Sequence, residues 1–249
     1  MTKEQGFSLV ELMIALVLGL LVGGAVLQSF VMNNRSIVFQ RAAITTQDQG
    51  RVALEQLSRF IRMAGYQEID LASGSLANGL SGSSSVPSVT VRYQAGGAMS
   101  SQLFDCLGFP ISSGATSSGA ISINEFKLVS DGNDMNNLVC QSSHELDGTT
   151  TYMGEGVLAR NIEQLQVLYG VDTDNDQAPN RYLSSNTATM SDVVAAKVCL
   201  VIASDDNMIS LDTTFNDFCI TGTAAVTDKR IRRKVSSTIT LRNRIAGDS

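Results

Sequence analysis

The sequence predicts an α+β protein: one long N-terminal α-helix, its first half transmembrane, packed on a C-terminal antiparallel β domain. Three observations carry this. From Phe7 to Val31 almost every residue is apolar, with one acidic interruption at Glu11. A helical period then continues to Ala64. Beyond Gly65 the period changes to two, broken by Ser- and Gly-rich loops.

The apolar stretch of about 25 residues makes a helix of roughly 37 Å, enough to cross the hydrocarbon core. A cleaved secretory signal would have an apolar region of only about 7–15 residues and a small-x-small cleavage site. Here Val26-Leu27-Gln28 follows Gly23-Gly24-Ala25 without one. An ordinary anchor explains the length but not Glu11, because an ionisable group deep in a membrane helix costs roughly 2.5–3.5 kcal/mol. Such a group needs a partner, and the segment supplies none. Cutting the chain between Gly6 and Phe7 would create one. The new α-amine would lie one helical turn from Glu11, or meet the Glu11 of a neighbouring copy. Gly19-x-x-x-Gly23 also has the spacing of a close helix contact.

After the span, Ala53, Leu57, Phe60/Ile61 and Ala64 fall on one helical face, while Arg51, Glu55, Arg59 and Arg62 occupy others. Gly65 offers a stop. One helix therefore continues from the membrane into the globular part. Four units follow: residues 1–6 as a leader, 7–31 as the membrane half, 32–65 as the amphipathic half, and 66–249 as the β-rich domain.

The strands are read from alternation. Val89, Val91 and Tyr93 form one. Ile121 and Ile123 alternate, then Phe126 and Leu128 resume one residue out of phase, which predicts a bulge or break. Leu165, Val167, Tyr169 and Val171 alternate again. Val193 to Ser204 reads as a central strand, and Val235, Ser237, Ile239 and Leu241 line one face of a last one.

Composition narrows the chemistry. The chain has 18 Lys+Arg against 24 Asp+Glu, and a net charge of −6 disfavours a general nucleic-acid binder. Its four cysteines, Cys106, Cys140, Cys199 and Cys219, form no Cys-x-x-Cys motif, and His144 is the single histidine, so a zinc site is poorly supported. Cysteines behind a membrane segment point to disulfides in an oxidising compartment. Three pairings exist; Cys106–Cys140 and Cys199–Cys219 are preferred because each closes a short local loop, with buried free thiols the alternative.

Asp172, Asp174 and Asp176 form a D-x-D-x-D spacing that can wrap a hard cation such as Ca²⁺, with Asn180 a further oxygen. Gln177 and Leu183, however, replace the turn glycine and bidentate glutamate of an EF-hand loop. A solvated acidic turn is the favoured reading and calcium the alternative, so no cofactor is expected, Ca²⁺ excepted. Lys229 to Arg244 holds seven basic residues: Lys229, Arg230, Arg232, Arg233, Lys234, Arg242 and Arg244. No aromatic residues interleave to stack on bases. A solvated strand face, or a surface docking on acidic neighbours, is preferred to DNA contact. Ser143, His144, Glu145 and Asp147 are too close in sequence to converge as a hydrolytic constellation, and no nucleophile elbow is present. That stretch, like Asp131-Gly132-Asn133-Asp134, reads as a polar turn.

Lys3, then Gly6-Phe7-Ser8-Leu9-Val10-Glu11-Leu12-Met13, resembles the signal of type IV pilins and type II secretion pseudopilins. The resemblance implies a pilin-like fold, cleavage by prepilin peptidase between Gly6 and Phe7, N-methylation of Phe7, and a role for Glu11 in registering subunits. It also places residues 1–6 in the cytoplasm, which the weak charge asymmetry (Lys3 and Glu4 against Arg35 and Arg41) does not establish. Farther on, "YGVDTDNDQAPNRY" and the later "STITLRNR" resemble the PilW-type minor pilins, relatives of the J-type pseudopilins. That resemblance implies a non-enzymatic subunit priming type IV pilus assembly, which supports twitching motility, adhesion and DNA uptake. Its implied partners are other minor pilins, the major pilin, prepilin peptidase, the inner-membrane assembly machinery and a tip adhesin. Its implied location is the inner membrane as a single-pass protein with a periplasmic domain, then the pilus (fimbrium) tip. The alternatives are a J-type pseudopilin of a type II secretion system and an adhesive or ligand-binding tip module.

Overall fold

A computed structural model describes residues 6, 8–67, 76, 79–83, 87–95, 103–111, 119–132, 135–205, 213–220, 223 and 225–243. Its first element is a single helix, α1, Leu9–Met63, 55 residues without a proline and about 82 Å long. The N-terminal half is bare: its most apolar window is 0% buried against the rest of the chain. The other half turns one stripe inward, with Ala42, Thr46, Gly50, Ala53, Leu57 and Ile61 recurring every three or four residues. Gly50 lets the helix approach the sheet, since a Cβ there would lie 2.7 Å from Ile202 Cδ1. The helix stops at Met63 because Gly65 takes φ +75°, and any Cβ on it would strike the Asn243 carbonyl at 2.7 Å. Asn243 Nδ2 also donates to the Arg62 carbonyl at 3.1 Å, capping an otherwise orphaned acceptor.

The strands are β1 Leu80–Ser83, β2 Ser88–Ala95, β3 Ala120–Ser130, β4 Asn136–Leu146, β5 Thr149–Ala159, β6 Ile162–Val171, β7 Arg181–Leu183, β8 Val193–Ala203, β9 Thr213–Phe215, β10 Val226–Asp228 and β11 Arg232–Thr240. They form a five-stranded sheet β1-β2-β3-β4-β5, a four-stranded sheet β11-β8-β6-β7, and the small pair β10-β9. Every pairing is antiparallel. Helix α1 lies mainly on β11 and β8, and also reaches β2 and β5. The shared core joins Leu57, Phe60 and Ile61 to Tyr93, Phe126, Leu138, Leu165, Tyr169, Leu200 and Ile202. Phe60 and Phe126 pack at 5.4 Å between ring centroids.

Two readings need correction. The bulge predicted within β3 is absent: Ala120–Ser130 pairs with β2 and β4 without a register shift. Its inward residues are Ala120, Ser122, Asn124 and Phe126, so the face that alternates toward the core is half polar. The segment containing Ser143, His144 and Glu145 is not a turn but the end of β4, and only Asp147-Gly148 turns. Both turn residues have positive φ, +49° and +77°, as a two-residue hairpin connection requires. Asp131-Gly132 does turn the chain, with Asp131 N–H donating to the Met135 carbonyl at 2.9 Å; Asn133 and Asp134 lie outside the described residues.

Candidate functional site

Ser8 occupies the N-cap with extended backbone, Leu12 N–H returns to the Ser8 carbonyl at 3.2 Å, and Glu11 stands in the first turn. Among the described residues Glu11 has no cationic partner. The first turn of a helix carries unsatisfied N–H groups and partial positive charge, which favours a carboxylate there. Gly6 is exposed, and Phe7 lies outside the described residues. The apolar side chains that follow, Leu9 through Val31, project outward all round the helix. A surface apolar on every side suits lipid or a bundle of like helices.

The globular half is stapled. Disulfides join Cys106 to Cys140 and Cys199 to Cys219, across 34 and 20 residues of sequence. The first fastens the loop Leu103–Ile111 onto β4. The second draws the excursion after β8 back over β8, where Cys219 N–H also donates to Gln164 Oε1 at 3.1 Å.

Asp105 lies at the centre of the first fastening and is fully buried. Its Oδ1 accepts the Leu107 and Phe109 N–H groups at 2.9 and 2.8 Å. Its Oδ2 accepts the Ser142 hydroxyl at 2.6 Å and lies 3.2 Å from His144 Nε2. A serine, a histidine and an aspartate thus converge, but not the set that adjacent sequence suggested. The serine and the histidine address the same carboxylate oxygen rather than each other, so no base activates the hydroxyl. The cluster pins a loop. Nothing in the sequence marked Asp105; its only signal is that it precedes a cysteine.

The Asp-rich loop is likewise self-contained. Asp172, with 3% of its surface exposed, accepts N–H groups from Asp174, Asn175 and Gln177 at 3.3, 2.8 and 2.9 Å. Burial pushes its carboxyl up, but these backbone bonds outweigh that and hold it below the usual carboxylate range. Asn180 Oδ1 accepts from Thr173 N–H at 2.7 Å, and Asn180 Nδ2 donates to both Asp174 oxygens at 3.2 Å. Oxygens of Asp172, Asp174 and Asp176 do lie within 4.8 Å of one another. Three monodentate carboxylates and an amide oxygen already taken by two donors fall short of the six to eight oxygens Ca²⁺ takes. Waters or backbone carbonyls would have to complete such a shell.

The basic segment is partly consumed within the fold. Arg232 is buried and doubly paired: Nε and Nη2 reach Glu163 at 2.7 and 2.8 Å, while Nη1 and Nη2 reach Asp228 at 2.6 and 2.7 Å. The Arg232 hydrogen bonds hold the Asp228 carboxyl below its ordinary range, against the opposing effect of burial. Lys234 pairs with Asp217. Arg233 and Arg242 remain exposed, and Arg244 lies outside the described residues.

The described residues combine a bare apolar helix, an acidic group in its first turn, and polar residues spent on internal fastening. The chain matches the prokaryotic N-terminal methylation motif over residues 1–27. It matches the Type IV Pilus-assembly protein W family over residues 125–243, from within β3 through β11. A type IV-like pilin from Thermus thermophilus has a similar solved structure, at 14% identity and TM-score 0.47, covering 80% of this chain and 97% of that one. No curated protein matches the chain. The protein is a type IV pilin-like protein. Over residues 125–243 it is similar to the PilW family.

Proposed function

We propose that this minor pilin enters the inner membrane by residues 7–31, loses residues 1–6 to prepilin peptidase, and then joins other minor pilins in a complex that primes the pilus and stays at its tip. The observation that carries the reading is a Glu11 with no cationic partner among the described residues, on a helix whose outer surface is apolar throughout its first half. Lateral helix packing supplies the affinity. Glu11 supplies the register, because a carboxylate among apolar helices is tolerated only where an amine meets it. The β domain presents surfaces to neighbouring subunits. Its work is packing rather than catalysis.

Glu11→Ala in the full chain, expressed in cells lacking the native copy, tests this. Membrane insertion should persist while pilus yield falls several-fold. Undiminished yield and incorporation would refute the mechanism. Loss of twitching with exoprotein release intact would assign the chain to the pilus rather than to a secretion machine.

A further inference from the structure

The helix fixes which end of the globular domain faces the membrane. A Cβ on Gly50 would touch Val235 of β11, while Asn243, just past β11, caps the helix at Arg62. Strand β11 therefore runs in the same direction as α1, and its first residues lie nearest the span. The end of β8 and the start of β6 share that level, since Ala203 pairs with Arg232 and Ile202 with Ile162. Arg41 meets this level from the helix, lining one cavity with Asp205. Around this end stand the exposed cations Arg35, Arg41, Arg160, Lys229 and Arg233, none with an ion pair among the described residues. Its exposed acids are Asp205, held by Asn161, and Asp131 in the turn that touches Arg230 through Met135. Glu163 and Asp228 are taken up by Arg232, with the charge of Arg230 beside Asp228. The opposite end carries Asp147, Asp172, Asp174, Asp176 and Asp192 against Arg181 and Arg242. Among the described residues, then, the membrane end has a positive surplus in a chain whose net charge is −6.

Residues 7–31 make about 37 Å of apolar helix against a hydrocarbon core of about 30 Å, and such an excess is taken up by tilting. Tilting lowers one flank of the domain toward the lipid, and interfacial Arg and Lys select the flank. Arg35 and Arg41 lie four and ten residues beyond Val31, about 6 and 15 Å along the axis. The headgroup layer is about 5–8 Å deep, and the field of an anionic surface extends about 8–10 Å past it at ordinary salt. Arg35 thus falls among headgroups and Arg41 within their field even for an upright helix. A tilt toward β8 and β11 lowers Lys229 and Arg233 to join them. Between the two helix arginines Ile37, Val38 and Phe39 are exposed, which suits the boundary layer better than bulk water. A nucleic acid would have to enter the same narrow space against like-charged headgroups. The acidic far end is repelled by the same field, so attraction and repulsion orient the domain together.

We infer that the membrane-facing end of the domain binds anionic phospholipid headgroups through Arg35, Arg41, Arg160, Lys229 and Arg233, holding one flank of the domain down on the bilayer. The inference rests on the membrane insertion proposed above. The full chain is reconstituted in vesicles of phosphatidylcholine alone, and of phosphatidylcholine and phosphatidylglycerol in equal parts. It carries p-benzoylphenylalanine at Thr45 or Thr227, both exposed at the membrane end, or at the exposed Tyr152 as control. On irradiation, lipid adducts at 45 and 227 should be several-fold more abundant in the mixed vesicles, and position 152 should give none in either. About 0.5 M NaCl should remove the excess. Arg41→Gln, Lys229→Gln and Arg233→Gln together should lower it about tenfold or more, with the melting temperature and both disulfides retained. Equal yields in the two lipids, an excess that survives salt or the triple variant, or adducts mainly to a second protein chain would overturn the inference. Resistance of the unmodified chain to alkaline extraction separates the two readings. A chain that does not insert removes the membrane step of the proposed function and this inference with it; one that inserts without preferring anionic lipid removes this inference alone.

Discussion

Removing the Arg232 side chain is the sharpest available perturbation of the globular half. Its guanidinium is 3% exposed and its partners Glu163 and Asp228 are 18% and 31% exposed. Arg232→Ala leaves two carboxylates side by side with no cation between them. Breaking a buried pair costs about 3–5 kcal/mol. Water reaches both acids here and screens them, so the lower end, about 3 kcal/mol, is expected. For a domain of this size each kcal/mol moves the midpoint by about 2–4 °C, giving a fall of about 6–12 °C at pH 7. The pH dependence supplies the sign. Asp228 is depressed in the folded state, so its contribution is present above the unfolded value near 3.9 and is lost as pH falls through the lower folded value. The gap between wild type and variant should therefore narrow below about pH 4. Near-ultraviolet circular dichroism melts of the full-length protein in detergent, at pH 7 and pH 3, would measure both. A fall under 2 °C at pH 7, or a gap that does not narrow in acid, would refute the argument.

Replacing Cys199 and Cys219 together by serine frees a loop of about 20 residues and should cost about 3 kcal/mol by chain entropy, read as a lower denaturation midpoint. Tyr93 is pushed up to about 12, mainly by burial. Its stabilising effect is whole below pH 10 and is lost as pH rises toward 12, so alkaline titration at 295 nm should show a phenol ionising only as the fold opens; ionisation near pH 10 with the fold intact would contradict its burial. The Asp172 loop closes on its own hydrogen bonds, so millimolar Ca²⁺ should leave the melting temperature where a chelator leaves it. A rise of several degrees would reveal a bound ion.

The helix was legible because its signals are local. A largely apolar stretch from Phe7 to Val31, the Gly6-Phe7…Glu11 spacing and the Ala53–Leu57–Ile61 stripe each declare themselves within a few turns, and the stop at Gly65 needs only one residue's backbone freedom. Strands β8 and β11 of the last sheet were legible too, since Val193–Ala203 is buried at every position but Lys197, and Val235, Ser237 and Ile239 share the less exposed face of Arg232–Thr240. β4 was not, because its inward face runs Leu138, Cys140, Ser142, His144 and loses its apolar character halfway. Those polar residues face inward to receive Asp105 and Cys106 from 30 or more residues away, and alternation along one strand carries no trace of that. Arg232 read as part of a solvated basic strip for the same reason: Glu163 is 69 residues distant.

What the sequence determined by itself was the long apolar helix, the acidic residue in its first turn and the class of the chain, all fixed by side chains close together along the backbone. Only the tertiary structure decided which charges are spent inside, that Ser142 and a buried aspartate secure a loop, and that two phenylalanines are left outside on it. Those outcomes depend on pairing across sheets, where the free energy belongs to neighbours in space that one-dimensional order does not reveal.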